Sequence, residues 1–357
     1  MRVYYYQDVP NFGDMLNKYM WNSFFPEAMA RTDDWLMFGI GTLIGSKVKH
    51  DGRIVVFGSG VGYQGRPRDV LNYGIVSFVR GPLSAHVLGL PAEKGITDPA
   101  ILAPEVFPAA PKTDKVIFIP HWETAYNPLW RRACEIAGIT YVDPLADVRE
   151  VIAAISSARL VVTEAMHGAI LADAYRVPWV PVSTSPRINL FKWNDWAQSL
   201  NMAAPEFNFF GMMGVSDFIR AAIHDAATMK EIASYVDKGA NPAIGQIEHE
   251  QGGLLVRMSN WMLENLVPKR FRYGVDRLLM SKIGPACDHV LNRLAALGLV
   301  MPGVRRNARK LAELSKLPGT LSGEDICAVR RRQIHERIAE LNQQLAADYQ
   351  QKTVSPS

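Results

Sequence analysis

The chain has 357 residues, enough for about two domains of ordinary size. With 48% hydrophobic and 21% charged residues, its composition excludes a mainly disordered protein. Its longest apolar runs are strand-sized, far below the roughly 20 residues of a membrane-spanning helix, and Asp8 follows the start so closely that no secretory signal is predicted. Three scattered cysteines, Cys134, Cys287 and Cys327, predict neither a disulfide framework nor a zinc site. We expect a cytoplasmic enzyme of two α/β domains.

The formal net charge of +4 is unevenly distributed along the chain. Residues 1–255 hold 22 Lys and Arg against 26 Asp and Glu, whereas residues 256–337 hold 16 against 7. A basic region on a slightly acidic body indicates a polyanionic partner, either nucleic acid or an anionic bilayer surface. Solvated helix faces are the alternative. Because no sequence motif for nucleic-acid binding accompanies the charge, no nucleic-acid partner is predicted.

In the first half of the chain, short apolar runs alternate with glycine turns and helical stretches, which predicts parallel α/β units. The turn Asn11–Asp14 begins a helix that runs to Phe24, and Pro82 begins another, because a proline at the first helical position loses no hydrogen bond. Three prolines in Pro104–Lys112 predict an interdomain linker. The predicted strands are Arg2–Tyr6, Trp35–Ile40, Ile54–Phe57 and Ile75–Val79.

The same alternation restarts after the linker and predicts a second doubly wound half. Its strands are Val116–Ile119, Thr140–Val142, Leu160–Thr163 and Trp179–Val182. Its helices are Pro128–Ala137, Val148–Ala158 and His167–Tyr175. Two such Rossmann-like halves imply a cleft that the carboxyl ends of both sheets face, which is where ligands bind in these folds.

After the second half, an amphipathic helix is predicted over Val215–Val236. Residues 254–317, which follow it, are predicted to be mainly helical and basic. In the last helix, a short apolar stripe at a/d spacing predicts docking onto the body in preference to a free coiled coil. The stripe consists of Ile334, Ile338, Leu341 and Leu345. We predict an N-terminal domain at residues 1–112, a second domain at 113–238 and a helical basic extension at 239–357.

Two features predict an anion site at the edge of the first sheet. The turn Gly58–Gly62 follows a strand, so its amides, including those of Ser59 and Gly60, are candidate anion donors. The glycine spacing is not that of a dinucleotide fingerprint, and a plain tight turn is the alternative. Arg80 ends a strand at the same edge and suits a bidentate grip on phosphate or carboxylate. A salt bridge to a neighbouring loop is the alternative for Arg80.

Proton-transfer chemistry is suggested at the edge of the second sheet. Glu164 and His167 lie three residues apart between a strand and a helix, where a carboxyl and an imidazole can share a proton. A structural hydrogen bond is the alternative for His167 and for His121, which also follows a strand. Asp98 precedes Pro99, and a turn or a helix cap is the alternative for this residue.

A further polar stretch follows the last predicted strand of the second half. It brings the cations Arg187 and Lys192 and the indole of Trp193 to the same edge. The indole is a candidate platform for a sugar ring, and a position in the core is the alternative.

The order of these motifs resembles the polysaccharide pyruvyl transferase family, particularly its succinoglycan and xanthan ketalase branch. The resemblance spans about residues 1–200. One departure is Ala165-Met166-His167, where the family usually has Arg-Leu-His, so Arg187 or Lys192 is expected to replace that arginine. The matching motifs are Asn11–Asp14 with Asn17, Gly58–Gly60, Val79–Ser84, Asp98–Ala100, Ile119–His121, Met166–Ile170 and Val177–Pro178.

The resemblance implies a fold like that of the GT-B glycosyltransferases and transfer of pyruvate from phosphoenolpyruvate to two hydroxyls of one sugar, giving a cyclic ketal. It implies His167 as the central proton-transfer residue, with Glu164 beside it. The donor-binding set is Arg80, Ser59, Gly60, Arg187, Lys192 and His121, and the acceptor-side set is Asn11, Asp14, Asp98 and Trp193. No metal and no cofactor besides the co-substrate phosphoenolpyruvate is expected.

The acceptor implied by the resemblance is a lipid-linked oligosaccharide at the inner face of the plasma membrane. The basic extension then becomes a candidate peripheral anchor to anionic lipid, since each basic residue near such a surface contributes about 1 kcal/mol. A nucleotide-sugar glycosyltransferase of the same fold and a non-catalytic scaffold are the alternative functions. The anchor residues would be Lys269, Arg270, Arg272, Arg305, Arg306, Arg309 and Lys310.

Overall fold

A computed structural model describes residues 1–31, 35–45, 52–62, 74–184, 188–222, 278–296 and 302–354. It contains two parallel β-sheets flanked by helices, which confirms the predicted α/β class with helices at the C-terminal end. The inner strands of each sheet are almost wholly buried and mostly apolar, as parallel sheets covered by helices require, whereas the edge strands are partly exposed.

The first sheet has four parallel strands in the order β1-β2-β3-β4. An isolated parallel bridge between Val79 and Gly95 extends the β4 edge. The strands are β1 Arg2–Tyr4, β2 Trp35–Phe38, β3 Arg53–Phe57 and β4 Gly74–Phe78. The helices of this half are α1 Phe12–Phe24, α2 Pro26–Ala30, α3 Pro82–Leu88 and α4 Ala103–Val106. Asn11 caps α1 by accepting a hydrogen bond from the Asp14 amide, and Pro82 begins α3 as predicted.

The second sheet has five parallel strands in the order β6-β5-β7-β8-β9. The chain passes from β5 to β6 on one side and then to β7 on the other, so the ends of β5 and β7 form the switch point at which such sheets bind ligands. The strands are β5 Val116–Ile119, β6 Thr140–Tyr141, β7 Leu160–Thr163, β8 Trp179–Ser183 and β9 Asn208–Phe209. The helices are α5 Leu129–Ala137, α6 Val148–Ser157, α7 Met166–Ala174, α8 Leu190–Ser199 and α9 Val215–Ala222.

The last helix packs across both halves of the molecule. Its apolar stripe, Ile334, Ile338, Leu341 and Leu345, is buried in one core with side chains from both sheets, which confirms the predicted docking. At one end Asp348 pairs with Arg53 at the start of β3, and at the other Arg331 donates to the Ala174 carbonyl at 2.8 Å. The helices after residue 278 are α10 Gly284–Ala296, preceded by a π-helical turn at Leu279–Ile283, α11 Pro302–Leu314 and α12 Glu324–Val354.

Several predicted boundaries differ from those observed. The strand predicted to reach Ile40 ends at Phe38, because the Asn17 side chain takes over both backbone groups of Ile40, at 2.9 Å and 2.8 Å. The first strand ends at Tyr4 where its pairing with β2 ends. The linker predicted from Pro104 begins inside α4.

Other predictions about the chain's organisation remain open. Of the helix predicted over Val215–Val236, the part after Ala222 lies outside the described residues. The domain boundaries at 112 and 238 remain predictions. Within the described ranges, no helix is both long and apolar enough to cross a membrane.

Candidate active site between the two sheets

The carboxyl ends of the two sheets meet each other, as the doubly wound pattern predicts. At the start of α1, the Phe12 amide donates to the Pro144 carbonyl beyond β6 at 3.0 Å. Near α8, the Asn189 side chain donates to the carbonyl of Gly62 beyond β3. These contacts join residues from opposite halves, so the side chains at the strand ends surround a shared site.

His167 and Asp98 face each other across this junction. His167 Nε2 lies 3.8 Å from Asp98 Oδ2, with the His167 side chain 15% exposed and the Asp98 side chain fully buried. Asp98 Oδ1 accepts from the Ala100 amide at 3.0 Å, so the residue does cap a helical turn, and its other oxygen is directed at the imidazole. Within the described part of the chain, neither Nε2 nor Oδ2 has a hydrogen-bond partner.

Because their facing atoms, Nε2 and Oδ2, are buried and only partly satisfied, His167 and Asp98 are candidates for proton transfer. A buried polar atom without a partner costs about 1–3 kcal/mol, so such atoms are rare and concentrate at functional sites. Gly13 makes the approach possible, since a β-carbon at that position would overlap the imidazole of His167. The start of α1 thereby fixes one face of the ring, and Asp98 lies beside its Nε2 atom.

Glu164 binds a different set of groups from the one predicted. Its Oε1 accepts from the Thr184 amide and hydroxyl at 2.8 Å and 2.6 Å, and its Oε2 accepts from the His121 amide and the Thr124 hydroxyl at 3.0 Å and 2.5 Å. This buried carboxylate therefore ties together the ends of β5, β7 and β8. Thr124 and Thr184 are not among the predicted site residues, although Thr184 directly follows a strand, a position that favours a site residue.

Arg80 does not reach the cleft as a free cation. Its guanidinium is fully buried, pairs with Asp195 of α8 at 3.2 Å, and donates to the Thr42 hydroxyl and the Val61 carbonyl at 2.8 Å each. Asp195 also accepts from the amide and hydroxyl of Ser84, at 2.9 Å and 2.5 Å. Arg80 therefore forms a salt bridge, as its alternative predicts, but the partner lies on α8 of the other half and not on a neighbouring loop.

The glycine turn after β3 is likewise occupied by internal contacts. The amides of Gly58, Gly60 and Val61 donate to Phe78, Gly41 and Ser84, and the Ser59 hydroxyl donates to Gly41 while accepting from Leu43. Gly60 is required because a β-carbon would overlap the Arg80 guanidinium. The Ser59 hydroxyl and the Gly60 amide are thus used within the turn, and donor binding by these two residues stays a prediction.

Two of the predicted donor-binding residues lie at the junction. Lys192 is partly buried in the first turn of α8, and its aliphatic stem runs against Gly62 of the opposite half. His121 follows β5, with a side chain that is 35% exposed and lies 3.7 Å from the Glu123 carboxylate. Arg187 lies outside the described residues.

The predicted acceptor-side residues do not share one location. Asn11 and Asp14 lie at the start of α1, where the Asn11 amide donates to the Asp14 carboxylate at 2.6 Å. Trp193 is buried in the core against Trp179 and Trp196, which corrects its assignment as a sugar platform and confirms the core alternative. Of this set, Asp98 lies 3.8 Å from His167 Nε2, and Asn11 and Asp14 flank Gly13, which packs against the imidazole.

The predicted membrane anchor is described in part. Arg305, Arg306 and Arg309 are exposed on α11, whereas Lys310 donates to the Phe209 carbonyl at 2.6 Å. Lys269, Arg270 and Arg272 lie outside the described residues. In the ranges that the structure covers, no group of three or more His, Cys, Asp or Glu is placed to hold a metal ion.

Comparisons with known proteins agree with the resemblance of the motifs. The profile of the polysaccharide pyruvyl transferase family matches residues 30–186. A similar protein is the succinoglycan biosynthesis protein ExoV of Rhizobium meliloti (strain 1021), which is 43% identical over 211 residues. That alignment covers 57% of this chain and 66% of the relative, slightly less than two thirds of its length. No solved structure matches the chain.

Proposed function

We propose that this chain, whose residues 30–186 match the polysaccharide pyruvyl transferase family, transfers pyruvate from phosphoenolpyruvate to a sugar. Two hydroxyls of one sugar residue replace the enol phosphate, giving a cyclic ketal. The observation that carries this proposal is the buried pair of His167 and Asp98, with 3.8 Å between Nε2 and Oδ2. A paired imidazole and carboxylate between two sheet edges is suited to repeated proton transfer.

The proposed reaction balances with protein residues acting only as proton carriers. The imidazolium of His167 protonates the methylene carbon of the donor, which makes the central carbon an electrophile. The first sugar hydroxyl adds to that carbon and loses its proton to the imidazole. The second hydroxyl then displaces phosphate, which leaves with the second hydroxyl proton. One proton thus ends on the new methyl group and one on the phosphate.

We assign the partner role in this chemistry to Asp98. Its negative charge beside Nε2 would stabilise the imidazolium and hold the ring in the orientation that Gly13 permits. Glu164, with its four hydrogen bonds to strand ends, acts as a positioning residue for the surrounding loops. Positioned acid–base groups of this kind contribute about 100- to 10,000-fold to a rate.

The donor carries a phosphate and a carboxylate, so its site requires cations or helix amides. We propose that Lys192, His121 and the N-terminal amides of α7 bind these groups, with Arg187 as a further candidate cation. The start of α7 is a favourable place for an anion because the helix dipole presents partial positive charge there. It also carries His167, which would bring the methylene carbon next to its proton donor.

The acceptor is proposed to be a lipid-linked oligosaccharide of an exopolysaccharide, in keeping with the printed name of the relative. The protein would work in the cytoplasm, at the inner face of the plasma membrane. The exposed arginines Arg305, Arg306 and Arg309 would then face anionic lipid, each contributing about 1 kcal/mol. Replacement of Arg305 and Arg309 by glutamate should reduce sedimentation with phosphatidylglycerol vesicles, and unchanged sedimentation would remove this part.

A direct test of the function mixes the protein, phosphoenolpyruvate and a pyranoside with free 4- and 6-hydroxyls. Phosphate release, together with a sugar that has gained a carboxyethylidene group by mass spectrometry, is the expected result. Release of nucleoside diphosphate from an activated sugar, without phosphate release from the enol phosphate, would instead favour a glycosyltransferase.

A further inference from the structure

A cluster of aromatic side chains lies on the loop that follows β5, defined here as the 121–127 loop. The rings of Trp122 and Tyr126 meet edge to face with their centroids 6.2 Å apart. The ring of His121 lies 5.5 Å from that of Trp122. All three side chains are partly exposed. None of the proton-transfer or donor-binding assignments above uses Trp122 or Tyr126.

The exposure of Trp122 is unusual for this protein. Every other tryptophan in the described part of the chain is at most 3% exposed, whereas Trp122 keeps part of its ring accessible. An indole that stays at the surface offers a flat apolar face with a polar edge, the combination found where aromatic residues line ligand sites. The buried tryptophans are Trp21, Trp35, Trp130, Trp179, Trp193 and Trp196.

The loop is fixed in place by the same carboxylate that organises the strand ends. The His121 amide and the Thr124 hydroxyl both donate to Glu164 Oε2, at 3.0 Å and 2.5 Å. A helical turn over Thr124–Tyr126 then closes with the Asn127 amide on the Thr124 carbonyl at 3.0 Å. These bonds fix the aromatic pair before any ligand binds. Because the loop does not have to become ordered on binding, the entropic cost of recognition is reduced.

The 121–127 loop lies at the same sheet edge as the candidate active site. Strands β5 and β7 are adjacent and parallel, with Ile119 opposite Thr163. The loop leaves the end of β5, and His167 lies in the first turn of α7, shortly after the end of β7 and three residues beyond Glu164. A ligand that stacks on the loop can therefore extend toward the imidazole along the same sheet edge.

We propose that Trp122 and Tyr126 form the platform on which the pyranose ring of the acceptor stacks. The ligand class is a neutral hexopyranose, whose axial C–H groups form an apolar face that suits an indole while its hydroxyls remain available for reaction. This inference rests on the proposed function for the identity of the site. It replaces Trp193, whose ring is in the core, with residues at the sheet edge.

The experiment uses the full chain with methyl β-cellobioside and methyl β-lactoside as probes, whose terminal rings carry free 4- and 6-hydroxyls. Saturation-transfer NMR measures sugar binding, and calorimetry measures phosphoenolpyruvate binding. Trp122→Ala and Tyr126→Ala should each weaken binding of at least one sugar about tenfold, the size of one lost aromatic contact, without changing the donor Kd. Trp122→Phe should recover most of the binding.

The control is Tyr349→Ala, which removes an aromatic that is 43% exposed on α12 and should leave both ligands unaffected. Sugar binding that is equal in the wild type, Trp122→Ala and Tyr126→Ala would overturn the platform, as would a wild type that binds the donor but neither sugar. Absence of donor binding in the wild type would instead contradict the proposed function, so the two failures are distinguishable.

Discussion

The buried ion pair of Arg80 and Asp195 joins the two halves of the chain, and breaking it should lower the free energy of unfolding by a predictable amount. Both side chains are fully buried and lie 3.2 Å apart, and Asp195 also accepts two hydrogen bonds from Ser84. Asp195→Asn keeps the shape of the side chain but removes the negative charge. Because losing one partner of a buried pair costs about 3–5 kcal/mol, and the amide oxygen can retain one acceptor, we expect about 3 kcal/mol of destabilisation.

Urea denaturation monitored by tryptophan fluorescence measures this loss, as the shift in midpoint multiplied by the slope. The matched control is Asp348→Asn, which breaks the ion pair with Arg53, where the side chains are 39% and 25% exposed. Solvent screening limits that loss to about 1 kcal/mol or less. A double variant, Arg80→Met with Asp195→Leu, should recover only part of the stability, because an apolar pair can replace the buried ions but Ser84 loses the acceptor of its amide and hydroxyl.

The outcome that refutes this reasoning is an Asp195→Asn protein as stable as Asp348→Asn. Arg80 would then have other compensation for its charge, and its original assignment as a donor-binding cation would be open again.

Three further predictions concern the active site and its supports. Gly13→Ala places a methyl group where the imidazole of His167 lies and should lower kcat about 100-fold, the usual effect of a misplacement near 1 Å, without loss of helix content; unchanged kcat would contradict the contact. Thr184→Val removes one hydroxyl donor from Glu164 and should cost about 1.5–3 kcal/mol in urea denaturation, and a smaller loss would mean that the carboxylate is not an anchor. Burial raises the pKa of the Cys134 thiol to about 12, so the thiolate fraction is small at pH 8 and increases only as the pH approaches that pKa. Iodoacetamide should therefore label the exposed Cys287 before Cys134. Equal labelling rates of the two thiols in the native protein would contradict the packing of α5.

Local patterns in the sequence were sufficient to predict most of the fold. Apolar runs predict the strands on both sides of the linker, because buried strands require apolar residues. Capping residues and prolines predict where helices begin, because they act on the adjacent backbone. The boundary at Ile40 was wrong since the competing partner, Asn17, lies 23 residues earlier. The stripe in α12 was predictable in the same way, by spacing alone.

The candidate site was only partly predictable, because its decisive contacts join residues distant in the sequence. Nothing local to Arg80 reveals that Asp195, 115 residues away, neutralises it. The approach of Asp98 to His167 similarly depends on how two sheets meet. Glycine residues illustrate the ambiguity well: Gly60 looks like part of an anion-binding turn, yet what requires its missing side chain is the guanidinium packed against it.

The central claim, that His167 delivers a proton to the methylene carbon of an enol phosphate, is tested most directly by running the reaction in deuterium oxide. Proton transfer from His167 should place one deuterium in the methyl group of each ketal formed, and the rate of incorporation should be at least about 100-fold lower in His167→Asn. Equal rates of incorporation in the wild type and His167→Asn would contradict it.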